Sequence, residues 1–298
     1  MSEAQPWAAR LAVTVFRAFC WLLYPLSIRA LRRIGSVAGR ITFLLNGRAV
    51  RTTRINLSIA YPDRSDAWRE RLARDSIRQT AMIVLEAVAM WTWPLERLGS
   101  LIKTVEGEHL LRDRPPGRGL IVMPLHLGNW EFIGYYLNTV APLAPLYEKP
   151  KSAIVDAALR NARARLGHRS APDSVSGLRQ LIKVLRGGGM VAVLPDQVPI
   201  VGSGVAAPFF GREAFTMTLV AKLLQRVDVD IVFGNAIRVE GGFAIRIEAV
   251  DAAIRDPDHV ASVRAMNAAV ETQVRRDPEQ YQWEYKRFRF PRQPNIYR

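Results

Sequence analysis

The chain has 298 residues, 49% of them hydrophobic, with 20 Gly and 18 Pro, so it is long enough to bury a core and too apolar to be disordered. A single cysteine, Cys20, excludes an internal disulfide framework and a cysteine-based metal cluster. The net charge of +15, from 42 Lys and Arg against 27 Asp and Glu, asks for anionic partners; with no zinc finger, RNP-type aromatic pattern or basic tail, nucleic acid gives way to anionic lipid headgroups or an acidic carrier protein.

Residues 11–28 read LAVTVFRAFCWLLYPLSI, interrupted only by Arg17 and Pro25 and at the lower length limit for a membrane span. Arg29, Arg32, Arg33 and Arg40 follow, which by the positive-inside rule places the rest of the chain in the cytoplasm. An N-terminal hydrophobic membrane helix is therefore expected, the alternative being a buried amphipathic helix of a soluble domain. No small-residue cleavage site ends the run convincingly, so it is not read as a removed signal peptide. Asn56 to Asp63 reads as a helix end and turn. Residues 66–90 form a long helix with Leu72, Ile77, Met82, Ile83, Leu85 and Val88 apolar, stopped by Trp91-Thr92-Trp93-Pro94. Residues 101–105 suit an edge strand.

Residues 119–124, GLIVMP, read as a buried strand closed by proline. His126-Leu127-Gly128-Asn129-Trp130-Glu131 follows, then the apolar helix FIGYYL. Asn129 suits the N-cap, which puts Glu131 in the first turn, where the helix dipole favours a carboxylate. His126 falls on the loop leaving the strand, the usual place for reactive side chains in an open α/β sheet. In a continuous helix positions five apart diverge by about 140°, so only a strand–loop–helix arrangement lets His126 and Glu131 converge as a base and its partner.

Further on, Ser152 caps a helix to Leu166 carrying Arg160, Arg163 and Arg165, for which a solvated basic face is the bland alternative. Residues 176–186 are helical, and Gly187-Gly188-Gly189 ends them. This is no nucleotide loop, since no strand precedes it and no Lys-Ser/Thr follows. Residues 190–194 make a second buried strand, and Pro195-Asp196-Gln197 leaves its end. In a parallel sheet Asp196 emerges beside His126; a plain turn aspartate is the alternative. Residues 202–211 read as a flexible loop ending Pro208-Phe209-Phe210-Gly211, whose phenylalanines either line an acyl groove or anchor the core. A helix from Thr216, strands at 230–233 and 244–247, and a last helix over 257–276 complete the pattern.

The HLGNWE stretch resembles the H-x4-[DE] motif of the glycerolipid and lysophospholipid acyltransferases, and more closely the late acyltransferases of lipid A biosynthesis, the lauroyl and myristoyl transferases. The likeness runs from about Asn56 to Arg289. It takes in Asn56-Leu57 with Tyr61-Pro62, Leu194-Pro195-Asp196-Gln197, Pro208-Phe209-Phe210-Gly211 and Pro278-Glu279-Gln280-Tyr281-Gln282-Trp283. Tyr147-Glu148-Lys149-Pro150 departs from the family's Tyr-Arg-Pro.

The resemblance implies transfer of a fatty acyl chain from an acyl carrier protein thioester to a hydroxyl of a lipid A precursor, at the cytoplasmic face of the inner membrane. His126 would be the general base and Glu131 its tautomer-holding partner. Arginines and backbone N–H groups at the adjacent helix start would stabilise developing negative charge. Asn129, Arg163, Arg165, Asp196, Gln197, Phe209, Phe210 and Gly211 would bind substrate. Inner-membrane lipid is a further expected partner. No cofactor or metal is expected, since His126 and Glu131 lack a third ligand. The competing readings are an acyltransferase for a lysophospholipid or glycosylated phosphoinositide, and a non-catalytic basic membrane adaptor. The expected fold is one α/β domain over residues 36–298, with a central mixed, largely parallel sheet flanked by helices, behind a membrane-associated helix over residues 1–35.

Overall fold

The computed structural model describes residues 14–15, 18–147, 171–172, 175–291 and 293–297. The apolar N-terminal run is not one helix. Residues 18–23 are helical, a turn follows at 24–25, and Ser27 starts a new helix, α1 (Ile28–Leu44), by accepting the Ala30 N–H at 3.2 Å. Pro25, which lacks an N–H and clashes with the preceding turn, is the physical reason for the break. Among the described residues no helix is long and apolar enough to cross a membrane, so the expected N-terminal membrane helix does not stand.

The helices that follow are α2 (Arg48–Ala60), α3 (Asp66–Thr92) and α4 (Leu95–Gly99). Helix α1 lies on α3 at backbone contact. A Cβ on Gly39 would come within 2.6 Å of the Arg78 Cα, and one on Gly35 within 2.8 Å of the Met82 Cα. Opposite that seam, Ile34, Val37, Ile41, Leu44 and Leu45 are exposed.

Next come β1 (Ile102–Glu106), α5 (His109–Arg112), β2 (Leu120–Met123), α6 (Trp130–Val140), β3 (Leu143–Tyr147), β4 (Ala171–Pro172), α7 (Val175–Arg186) and β5 (Met190–Ala192). Then β6 (Gly204–Phe209), β7 (Arg212–Met217), α8 (Leu219–Arg226), β8 (Asp230–Val239), β9 (Gly242–Ala249) and α9 (His259–Arg276) complete the described elements, with 3-10 turns at Ala252–Arg255 and Pro278–Gln280.

Seven strands form one sheet in the order β1-β9-β8-β2-β5-β3-β4, with every neighbouring pair parallel except β8 and β9. This is the expected mixed, largely parallel α/β sheet. Strand β2 sits inside it and is buried on both faces, which is why its sequence is an unbroken apolar run. With a period of two, Ile121 and Met123 enter one core layer, with Leu57, Phe209, Phe233 and Trp283. Leu120 and Val122 enter the other, with Leu31, Val88, Phe132 and Phe243.

The stretch expected as a flexible loop over 202–211 is instead most of an antiparallel hairpin, β6–β7, closed by Phe210 (φ 49°) and Gly211 (φ 72°). Two successive left-handed residues are what a two-residue hairpin turn needs. Phe210 accepts that conformation because Glu271 Oε1 takes its N–H at 2.7 Å and its ring packs on Tyr61 and Trp283.

Candidate active site

His126 stands on the loop between β2 and α6, and four of the loop's backbone N–H groups and the His126 carbonyl have partners. The Asn235 side chain accepts the Leu125 N–H at 3.1 Å, and Asp196 Oδ2 accepts the His126 N–H at 2.9 Å. The His126 carbonyl takes the Gln282 N–H at 2.9 Å, the Gln280 carbonyl takes the Gly128 N–H at 3.0 Å, and the Ala236 carbonyl takes the Asn129 N–H at 2.8 Å. The motif is thus clamped between β8 on one side and residues 280–282 on the other. Gly128 makes the turn at φ +66°, and a Cβ there would sit 2.1 Å from the Ala236 oxygen. Gly128→Ala is therefore expected to cost about 1–3 kcal/mol of stability through strain and overpacking and to displace His126. Thermal unfolding and an activity assay on the same preparation check both effects.

Asn129 is the N-cap of α6, its Oδ1 accepting the Phe132 N–H at 2.9 Å, and Glu131 lies in the first turn, 9% exposed. The Phe132 and Ile133 N–H groups are taken up by Asn129 itself, so these helix-start donors are occupied within the cap.

The partner of the His126 ring is Asp196. Strands β2 and β5 are parallel in direct register, so the loops leaving both emerge at one edge. There Asp196 Oδ1 meets His126 Nδ1 at 2.8 Å while Oδ2 holds the backbone N–H of the same residue. Asp196 thus meets the ring nitrogen for which Glu131 was the expected partner. Asp196 is 2% exposed; burial by itself would raise its carboxyl, but the charge and hydrogen bonds of His126 outweigh burial and hold it below the usual carboxylate range. Burial, together with the charge of the nearby Asp196 carboxylate, pushes the Tyr281 phenol well above its ordinary value. With Nδ1 committed to a carboxylate, Nε2 is the ring atom left to take a proton.

The remaining predicted residues separate by place. Gln197 Nε2 donates to Gln282 Oε1 at 3.2 Å, beside the His126 clamp. Phe209 and Phe210 are 1% and 5% exposed, in an aromatic cluster with Trp283, Phe288 and Tyr61, and Gly211 completes the hairpin turn. Phe209→Ala is accordingly expected to cost about 3–5 kcal/mol of stability, read by thermal unfolding. Arg163 and Arg165 lie outside the described residues.

Several residues at the site escaped the sequence reading. Glu284 is largely buried, with Oε2 accepting from Thr80 Oγ1 at 3.1 Å and Oε1 without a hydrogen-bond partner among the described residues; burial raises its carboxyl. Arg287, 2% exposed, donates to the Phe215 carbonyl at 3.0 Å and Thr216 Oγ1 at 2.6 Å and stacks over Phe209. Glu86 and Arg238 form a buried ion pair under Asn129. The available signal was a lone ionisable residue inside an apolar run, IVLEAVAM for Glu86 and GNAIRV for Arg238.

A histidine held by a buried carboxylate thus stands at the edge of a largely parallel α/β sheet where the loops after β2 and β5 emerge together. The sequence model described as bacterial lipid A biosynthesis acyltransferase matches residues 7–290, and the chain belongs to that family. It is 24% identical over 287 residues to the lipid A biosynthesis palmitoleoyltransferase of Escherichia coli (strain K12), covering 95% of this chain and 91% of that one. It is 23% identical over 272 residues to the lipid A biosynthesis lauroyltransferase of the same organism, covering 90% and 88%. A lipid A biosynthesis acyltransferase of Haemophilus influenzae is 25% identical over 291 residues, covering 95% and 90%. The protein is an acyltransferase.

Proposed function

We propose that this acyltransferase moves a fatty acyl chain from an acyl carrier protein thioester to a hydroxyl of a lipid A precursor, with His126 as general base. The observation that carries the reading is the 2.8 Å contact of His126 Nδ1 with Asp196, which commits one ring nitrogen to orientation and frees the other for the acceptor hydroxyl. His126 Nε2 takes the hydroxyl proton as the oxygen attacks the thioester carbonyl carbon. The C–S bond then breaks, and the imidazolium returns the proton to the departing thiolate. No covalent acyl-enzyme is needed. Asp196 stabilises the imidazolium between the two proton transfers, as the carboxylate does in the hydrolase triad. Glu131, the carboxylate of the motif itself, supports the site from the first turn of α6.

The net charge of +15 suits both an acidic carrier protein and a phosphorylated glycolipid. A peripheral station on the cytoplasmic face of the inner membrane is supported by the exposed Ile34, Val37, Ile41 and Leu44 of α1, by Leu45 just past its end, and by α1's exposed Arg33 and Arg40. Mass spectrometry of lipid A from cells with and without the protein tests the reading. One acyl chain fewer in its absence is expected; unchanged lipid A with altered phospholipid chains would transfer the activity to a glycerolipid acceptor.

A further inference from the structure

Glu86 lies in the interior of α3, 1% exposed, at the centre of a buried charge cluster. Arg238 of β8 donates through Nε to both of its oxygens, at 3.0 and 2.9 Å, and Arg32 of α1 donates through Nε to Oε1 at 2.6 Å. Arg32 is itself fixed by the Val239 carbonyl at 2.7 Å and the Gly242 carbonyl at 2.8 Å. Burial opposes the charge on Glu86, but the two guanidiniums outweigh it and keep the carboxyl below its ordinary range. A buried ion cluster is a poor device for stability, since apolar side chains of equal volume commonly serve as well. Its contact with the reactive motif is specific: Asn129 Nδ2 donates to Glu86 Oε2 at 2.9 Å.

An asparagine amide can be turned over, exchanging its oxygen and its NH2. A carboxylate that only accepts forces the NH2 toward α3. The amide oxygen is then left to cap the Phe132 N–H at 2.9 Å. We propose that Glu86 is a positioning residue: it fixes the Asn129 amide and, through that cap, the angle at which the loop presents His126 and α6 presents Glu131. The proposal rests on the acyltransferase reading, since it concerns the geometry of that reaction. Arg238 and Arg32 serve it by keeping Glu86 ionised, and they tie α1, α3 and β8 to the same point.

The test is Glu86→Gln and Glu86→Asp in the full chain, assayed with an acyl carrier protein thioester and a lipid A precursor, with Asn129→Ala and the double variants alongside. Glu86→Asp keeps a charge for the arginines but draws back from Asn129 by one methylene, so it covers the case in which Glu86→Gln does not fold. Folded variants are expected to lose about 10²-fold in kcat, the scale of a roughly 1 Å misplacement, with KM little changed. Each double variant should be no slower than the worse single. The Asn129 side-chain NH2 protons are expected to exchange slowly in the wild type and faster in both Glu86 variants; this readout does not depend on turnover. A folded Glu86→Asp with wild-type kcat, or losses that multiply with Asn129→Ala, would overturn the proposal. Absence of transfer by the wild-type protein itself would instead strike the reading beneath it, while the exchange measurement would still decide whether Glu86 holds the amide.

Discussion

Replacing His126 by alanine is expected to lower acyl transfer by about 10²–10⁴-fold, the range lost with a general base, while the fold is kept. The side chain is partly exposed at the sheet edge, and its ring interactions are the contact with Asp196 and a 5.0 Å packing against Trp130. The backbone N–H that Asp196 also holds is unchanged by the substitution. Steady-state transfer measured beside thermal unfolding checks the pair of statements. A folded His126→Ala protein with near-normal turnover would remove the mechanism.

Asp196→Asn is expected to be as damaging, for a reason specific to this geometry. The carboxylate uses one oxygen for the His126 backbone N–H and the other for Nδ1. An amide offers only one acceptor, and the backbone N–H cannot do without it. Its NH2 then faces Nδ1, which must become the acceptor, so the ring proton moves to Nε2 and the base is lost. In the hydrolase triad that tautomer error costs about 10⁴ in rate, and a loss of that order is expected here. The substitution also acts on stability. Because the folded-state value of Asp196 lies below the unfolded one, about 3.9, the pair contributes stability above roughly that pH, lost as pH falls through the lower folded value. The wild type should therefore lose stability on acidification more steeply than Asp196→Asn. Equal acid sensitivity of the two proteins would deny the ionised pair.

What the sequence made legible was what local physics decides. The unbroken apolar runs at 120–123 and 190–192 are strands because both faces of the parallel sheet are covered, and the N-cap role of Asn129 followed from its place before an apolar helix. The nearness of Asp196 to His126 followed once the two strands were taken as parallel.

What stayed hidden depends on distant parts of the chain. Residue 196 is 70 positions from 126, and only the pairing of β2 with β5 turns a turn aspartate into the partner of Nδ1. The H-x4-E spacing drew attention to Glu131 instead, because strand order brings Asp196 near His126 without fixing which carboxylate meets Nδ1. Hydropathy alone did not weigh Pro25 against the apolar run around it, so one membrane helix was expected where a break and an amphipathic helix occur. Glycines in 202–211 suggested a loose loop, whereas Phe210 and Gly211 are the tight end of a hairpin held by Glu271.

The central claim is best tested on the purified protein. It is incubated with an acyl carrier protein thioester and a lipid A precursor, and the products are weighed by mass spectrometry. The account predicts that the precursor gains the mass of one acyl chain in an ester, with free carrier thiol released in equal amount, and that His126→Ala and Asp196→Asn both suppress the gain. Release of thiol with no gain in the precursor, or an undiminished gain with either variant, would contradict it.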